Sequence, residues 1–370
     1  MHVINMKTVV VGISGGVDSA VAAALLKEQG YNVIGLFMRN WDSLVNNDIK
    51  GNPTLDNAIC TQEEDYNDAK KVCEKLDIEL HRIDFVKEYW DFVFTYFLDE
   101  LEKGRTPNPD VMCNKYIKFD LFLKEAQKLG GDYYATGHYA RLIDGNLYKG
   151  LDNNKDQSYF LAQLKNNQLE NVLFPLGDIN KEQVRQLAEK YDLSVAHKKD
   201  STGICFIGER HFKEFLSNYL PNTPGDIIDL DTNNKIGNHI GLMYYTIGQR
   251  RGLDIGGEPK RRFVAGKDLN KNILYTSINE QYLESDSCII TDIVLNIDKL
   301  PKECNAKFRY RQEDIKVSLE VQNNEIIVKY NNVKSVTPGQ LCVLYIDDRC
   351  IGSGIIKELR KNNEKLWYLL

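Results

Sequence analysis

The chain reads as an α/β protein on a parallel sheet, continued by a small mixed domain and a C-terminal β-barrel. Three observations predict this. From the N-terminus to about residue 200, β-branched runs alternate with helical stretches, the signature of parallel strands joined by crossover helices. From about Gly208 that alternation fades into Gly-, Asn- and Asp-rich text. From Ser287 onward short alternating strands are separated by polar turns, as in small barrels or sandwiches. The expected division is 1–207, 208–286 and 287–370.

Each element has a local reason. Thr8–Ile13 (TVVVGI) is a continuous apolar run, as in a strand buried on both faces. Ser19–Gln29 is rich in Ala and Leu and stops at Gly30, which predicts a helix with a glycine end. Asn32–Met38 is a second strand. Arg39–Gln62 is polar and carries Gly and Pro, so it reads as an inserted loop, with Ser43–Asn57 expected to be flexible. Glu63–Leu76 predicts a helix, Ile78–Ile83 a strand and Glu88–Leu101 an aromatic-rich helix. Asn114–Leu129 predicts a further helix and Tyr133–Thr136 a strand. In the second half, His211–Tyr219 reads as helical and Ile240–Ile247 as a short apolar piece. Cys288–Val294, Ala306–Arg311, Val317–Val321, Glu325–Tyr330 and Leu341–Tyr345 read as strands.

Composition narrows the class. The 370 residues are 42% hydrophobic and 27% charged, so there is ample material for a core. A formal charge of −6 argues against a non-specific nucleic-acid coat but leaves room for a local basic face. Gln249–Lys271 is such a stretch, with seven basic residues against three acidic. No run approaches the length of a membrane span. The eight cysteines are dispersed, none in a C-x-x-C pair, and no signal or transit peptide is recognisable. The expectation is a cytoplasmic protein with mostly buried, inert thiols.

Two motifs carry chemistry. Gly12-Ile13-Ser14-Gly15-Gly16-Val17-Asp18-Ser19 joins the first strand to the first helix. Adjacent glycines let the backbone approach an anion, and the helix N-terminus offers unpaired N–H groups. Ser14 and Ser19 add hydroxyls. Asp18 would oppose a bare phosphate, so it is expected to hold a metal or cap the helix. The second motif is a pair of cysteines. Cys113 follows Thr106-Pro107-Asn108-Pro109-Asp110-Val111-Met112, a loop stiffened by two prolines, and stands at the expected helix start, where the dipole favours a thiolate. Asp110 is placed to relay a proton. Cys205 lies in Asp200–Gly208, flanked by glycines and preceded by Lys198 and Lys199, whose charge would lower a thiol pKa. There is no regular metal-ligand spacing, although two thiolates with Asp110 leave an iron–sulfur cluster open.

Residues 12–19 resemble the pyrophosphate loop of the N-type ATP pyrophosphatases, which adenylate a substrate oxygen and release pyrophosphate; the acceptor stays open on that loop alone. Further blocks narrow it: 106–119 (TPNPDVMCNKYIKF), 135–141 (ATGHYAR), 155–161 (KDQSYFL), 200–210 (DSTGICFIGER), 241–253 (GLMYYTIGQRRGL) and 337–340 (TPGQ). In this order they resemble the tRNA-specific 2-thiouridylase family. The resemblance implies a HUP-like ATP-pyrophosphatase domain, a small central domain and a C-terminal barrel. It implies ATP with Mg2+, and thiolation at C2 of the wobble uridine (nucleotide 34 of the tRNA), on tRNAs reading Lys, Glu and Gln codons. The expected sulfur source is a persulfide donor protein or cysteine desulfurase. Cys205 would carry the persulfide, Cys113 would resolve it and Asp110 would relay a proton. Gly12–Ser19, Met38 and Gly137 would contact ATP. Asn108, Pro109 and Asp110 would frame the target base, and His138, Lys155, Asp156, Gln157, Tyr310, Arg311 and Gln340 would contact tRNA. Pro259–Asp268 (PKRRFVAGKD) reads differently from the aromatic-containing segment that the family resemblance implies before Gly266-Lys267-Asp268, and no role is assigned to it or to the insert 43–57. An amidating ATP pyrophosphatase, a sulfurtransferase for another tRNA position and a non-catalytic RNA-binding module are the competing readings.

Overall fold

The computed structural model describes residues 6–55, 57, 61–200, 207, 210–256 and 261–369. The chain divides into two compact units, one made of residues 1–94, 109–211 and 348–350, the other of 95–108, 212–347 and 351–370.

The first unit carries a parallel sheet in the order β3-β2-β1-β4-β7. Its strands are β1 (Thr8–Gly12), β2 (Asn32–Arg39), β3 (Glu79–Asp84), β4 (Tyr133–Ala135) and β7 (Val172–Leu173). Val9, Val10 and Val11 are fully buried, as the uninterrupted apolar run requires of a central strand. Val9 and Val11 share a core with Ala23 and Leu26 of the helix Val17–Glu28 and with Ala69 and Cys73 of the helix Thr61–Leu76. The alanines of Val17–Glu28 leave little side chain in the way. The helix therefore also packs against Val184 and Ala188 of the helix Lys181–Lys190. A further helical run spans Pro109–Lys128, π-helical from Cys113 to Leu121, and its Phe119 and Phe122 pack edge-on against Tyr134 of β4.

Three expectations change here. The helix predicted at Asn114 begins at Pro109, because proline is pre-organised for a first helical turn. The hairpin β5 (Ala140–Ile143) and β6 (Asn146–Lys149), turning at Asp144-Gly145, is additional, as is the Lys181–Lys190 helix, capped by Asn180. The insert expected to be flexible is folded around Asp48 in its described part. That buried carboxylate accepts from Trp41 Nε1 (3.0 Å), Arg210 Nε (2.9 Å) and Arg210 Nη2 (2.8 Å), and Asn52 Nδ2 donates to the Asp48 carbonyl (3.1 Å). A polar sequence satisfied internally can be as ordered as an apolar one.

The second unit holds two sheets. The four-stranded one runs β10 (Phe263–Asp268), β11 (Ile273–Ser277), β8 (Gly225–Asp229), β9 (Lys235–His239), with β11 and β8 parallel. The other is a closed six-stranded antiparallel barrel of β12 (Glu284–Leu295), β15 (Glu325–Lys334), β14 (Ile315–Gln322), β13 (Glu303–Lys307), β16 (Leu341–Ile346) and β17 (Arg349–Lys361). Pairing of β12 with β17 closes it. A short β18 (Glu364–Lys365) pairs with β17. The strand expected over Ala306–Arg311 stops at Lys307, and Arg311, at φ +63°, lies in a turn. The apolar piece Ile240–Ile247 holds a 3-10 turn, Leu242–Tyr244, rather than a strand. No helix among the described residues is long and apolar enough to cross a membrane.

Candidate active site

Gly12 ends β1, and Ile13–Gly16 deliver the chain to the Val17–Glu28 helix. Gly15 has φ +73°, and a Cβ there would lie 2.2 Å from the Asp65 carbonyl oxygen, so conformation and space both demand glycine. Gly16 caps the helix in extended conformation with no side-chain hydrogen bond. Ser19 Oγ accepts from the Ser14 N–H (3.1 Å) and donates to the Gly16 carbonyl (3.1 Å). Gly137 presses on this loop: a Cβ there would come within 2.8 Å of Ser19 N. Met38 is half-buried near the end of β2. Asp18 is the second residue of the helix rather than its cap, which settles that alternative. Its Oδ1 accepts from the Tyr139 hydroxyl (2.7 Å) and from Lys181 Nζ (2.7 Å). Burial and the Asp18 charge push the Tyr139 phenol far above the usual tyrosine range, so it stays a donor.

Ion pairs lead from this loop to Asp200, at the start of the Cys205 segment. Lys198 Nζ donates to the Gly15 carbonyl (3.0 Å), Asp65 (2.8 Å) and Asp68 (2.8 Å). Burial would depress this ammonium; its two carboxylates outweigh that and hold it above the ordinary lysine value. With two carboxylates upon it, Lys198 offers little net field to a distant thiol, which removes part of the electrostatic argument made from sequence. Asp200 receives Lys155 (2.6 Å), Lys181 (2.7 Å) and Arg185 (2.8 Å). Burial would raise its carboxyl, and the hydrogen bonds from Lys155 and Lys181 prevail, holding it down at about 2. Beyond the segment, Arg210 grips Asp48. Cys205 itself, with residues 201–206, lies outside the described residues.

Cys113 is fully buried, one turn into the Pro109–Lys128 run, so it is not at the helix start where the dipole argument had put it. Asp110 and Pro109 are half-buried in the turn before it. Asn108 belongs to the second unit. There Gln340 Nε2 donates to the Thr106 carbonyl (2.7 Å), two residues earlier, and the Thr106 N–H donates to the Pro338 carbonyl (2.9 Å).

The other expected RNA-contacting residues fall into two groups. In the first unit lie His138, Lys155, Asp156 and Gln157. Gln157 Oε1 accepts the Tyr139 N–H (2.9 Å), and Asp156, buried, accepts from the Gly150 and Ser158 N–H groups. His138 Nδ1 is 2.7 Å from Thr136 Oγ1, and burial with the nearby Lys118 holds its pKa well below the usual value; it is neutral at pH 7. In the barrel the guanidinium of exposed Arg311 stacks over the half-buried Tyr310 ring at 5.2 Å. Tyr139, Lys181 and Arg185 were not singled out from sequence. The Lys181/Arg185 spacing, four apart in a helix, is a signal for those two, since it puts both on one face.

Comparisons with known proteins identify the family. Three family models match in succession: a tRNA methyl transferase HUP domain over residues 7–209, a tRNA methyl transferase PRC-barrel domain over 213–277 and an aminomethyltransferase β-barrel domain over 285–356. A tRNA-specific 2-thiouridylase MnmA of Mycoplasmopsis synoviae is 54% identical over 370 residues, covering 99% of each chain. The protein of that name from Staphylococcus saprophyticus is 55% identical, covering 98% of each chain. The family models speak of methyl transfer, whereas these relatives, alike from end to end, are named for thiolation. On that likeness the chain belongs to the tRNA-specific 2-thiouridylase (MnmA) family.

Proposed function

We propose that this sulfurtransferase uses ATP to replace O2 of the wobble uridine of tRNA with sulfur. A uridine C2 carbonyl is a poor electrophile, and its oxygen a poor leaving group. Attack of O2 on the α-phosphorus of ATP forms an O–P bond, expels pyrophosphate and turns that oxygen into an AMP leaving group. Sulfur arrives as a persulfide on Cys205, supplied by a donor protein. The Cys113 thiolate attacks the inner sulfur, a Cys113–Cys205 disulfide forms, and the released hydrosulfide displaces AMP from C2; direct attack by the terminal persulfide sulfur is the parallel route. Asp110 accepts the Cys113 proton. A thiol reductant then resets the disulfide. Because Cys113 is fully buried, its attack requires the covering side chains to move.

Residues 12–19, with Met38 and Gly137, are assigned to the nucleotide. Asp18 fits Mg2+, an ion usually held by one or two carboxylates together with substrate phosphates, whose charge it shields. An iron–sulfur cluster on Cys113, Cys205 and Asp110 would draw on a residue outside the described part of the chain, and no step is routed through one. Asn108, Pro109 and Asp110 are assigned to the target base, and His138, Lys155, Asp156, Gln157, Tyr310, Arg311 and Gln340 to the rest of a tRNA reading Lys, Glu or Gln codons. Residues 1–207 are read as the catalytic domain, 208–286 as a tRNA-contacting one and 287–370 as the barrel, working in the cytoplasm.

The observation that carries the reading is the fastening of the Cys205 segment to the phosphate loop, through Lys198 on Gly15 and Lys181 shared by Asp200 and Asp18. The test is incubation with ATP, magnesium, a persulfide donor and unmodified tRNA, with nucleoside mass spectrometry of wild type, C113A and C205A. Wobble 2-thiouridine in wild type alone, with pyrophosphate release retained in both variants, is the expected result. ATP cleavage without a thiolated base in wild type would refute the acceptor and favour an amidating enzyme.

A further inference from the structure

The phosphate loop has a charge deficit. Residues 12–19 include no Lys or Arg, while Asp18 adds a negative charge where a polyphosphate is to bind. The Ser19 hydroxyl and the Ser14 N–H are spent within the loop. Beside the Mg2+ assigned to Asp18, a side-chain cation must come from elsewhere in the first unit, and among the described residues two lysines reach the loop.

Lys198 is committed. Its ammonium has three donors, and Gly15, Asp65 and Asp68 take all three. Lys181 differs. It uses two donors, on Asp18 Oδ1 and Asp200 Oδ1, each at 2.7 Å, and its side chain is 16% exposed. Both carboxylates have other partners. Asp200 keeps Lys155 and Arg185, and Asp18 keeps the Tyr139 hydroxyl. Lys181 can turn away without stranding a half-buried charge. Its backbone is fixed by Asn180 capping the helix and by its own N–H donating to Asp152 Oδ2 (3.0 Å). The facing charges, Asp18, Asp152 and Asp200 against Lys155, Lys181 and Arg185, are balanced without a ligand.

We propose that Lys181 is the phosphate-binding cation of this site, its ammonium passing from Asp200 to the β- and γ-phosphates of bound ATP. The assignment rests on reading residues 12–19 as a phosphate loop. Lys155 and Arg185 retain Asp200, so the base of the Cys205 segment stays paired while Lys181 serves the nucleotide.

The test is isothermal titration of ATP, AMP and pyrophosphate, with magnesium, into wild type, K181Q, K181R and R185Q, alongside the melting temperature of each. A charge-assisted hydrogen bond to phosphate is worth about tenfold or more in affinity. K181Q is expected to weaken ATP and pyrophosphate by at least about that factor and AMP by less than about twofold. K181R should recover most of the loss. R185Q, which removes a cation from Asp200 but none from Asp18, should keep ATP affinity within about threefold. Unchanged ATP affinity in K181Q, an equal loss of ATP and AMP, or an equal loss in R185Q would overturn the assignment while leaving the phosphate loop standing. Failure of wild type to bind ATP would instead bring down the phosphate-loop reading and this inference with it.

Discussion

At the scale of single residues, the two central glycines of the loop have unequal duties. Gly15 sits at φ +73°, and its missing Cβ makes room for the Asp65 carbonyl at 2.2 Å. Gly16 is extended, and a Cβ there would meet only Ser14 Oγ, at 3.4 Å. G15A must therefore bear about 1–2 kcal/mol of left-handed strain and push the Asp65 backbone aside. The displaced residue is one of the two carboxylates of Lys198, so the damage spreads to that lysine. G15A is expected to lower the melting temperature and lose detectable ATP binding, whereas G16A should stay close to wild type in stability. Calorimetric melting with nucleotide titration separates the two, and equal effects would show that the Asp65 contact does not govern the loop. The demand at position 15 is legible in the motif itself. Its partner Asp65 is not, because nothing in a polar, solvent-patterned helix marks the one carbonyl that closes on a glycine fifty residues away.

At the scale of elements, the sequence is informative where burial is periodic and uninformative where polar groups satisfy one another. Thr8–Gly12, Asn32–Arg39 and Val17–Glu28 were readable because β-branched and Ala/Leu runs have few other solutions. The Lys181–Lys190 helix was passed over, since only Val184 and Ala188 are buried along it. The insert is the sharper case. Its Asn, Asp and Ser content looks like solvated loop, yet Asp48 and Arg210 are 0% and 4% exposed at their side chains and 2.8 Å apart. Breaking a buried pair by removing one partner costs about 3–5 kcal/mol, because the other charge is left uncompensated. D48N is expected to approach that loss and R210M to match it, with the double variant D48N/R210M less destabilised than the sum. Strict additivity in a double-mutant cycle by denaturant melting would show that the two side chains act separately. Limited proteolysis of D48N should therefore show new cleavage within residues 43–55, which fold around Asp48.

For the molecule as a whole, the feature least visible in the sequence is that residues 95–108, deep in the α/β half of the text, belong with the second unit. Gln340 and Pro338 hold Thr106, and Lys267 of β10 donates to the Gly104 carbonyl at 2.8 Å. Such long-range capture leaves no local pattern, and Lys267 had only its place in a Gly-Lys-Asp triplet to mark it. The side chain is 2% exposed and makes no ion pair among the described residues, so burial alone pushes its pKa down to about 7. A lysine depressed in the folded state binds its proton more readily when unfolded. Between pH 7 and the ordinary lysine value near 10.5 the unfolded chain therefore carries the extra proton, and stability rises with pH across that window. Below pH 7 both states are protonated, and the full cost of a buried ammonium is borne. Other groups titrate in the same range, Cys73 and Cys304 among them, both pushed up to about 12 by burial, and they act in the opposite sense. The comparison must accordingly be made against K267M, in which every other group is kept. The stability of wild type relative to K267M is expected to climb between pH 7.5 and pH 9 by about 1 kcal/mol per pH unit, with roughly 1.4 as the ceiling for one proton. A difference that stays flat would mean that Lys267 titrates like an exposed lysine and that the Gly104 carbonyl is not receiving a desolvated amine.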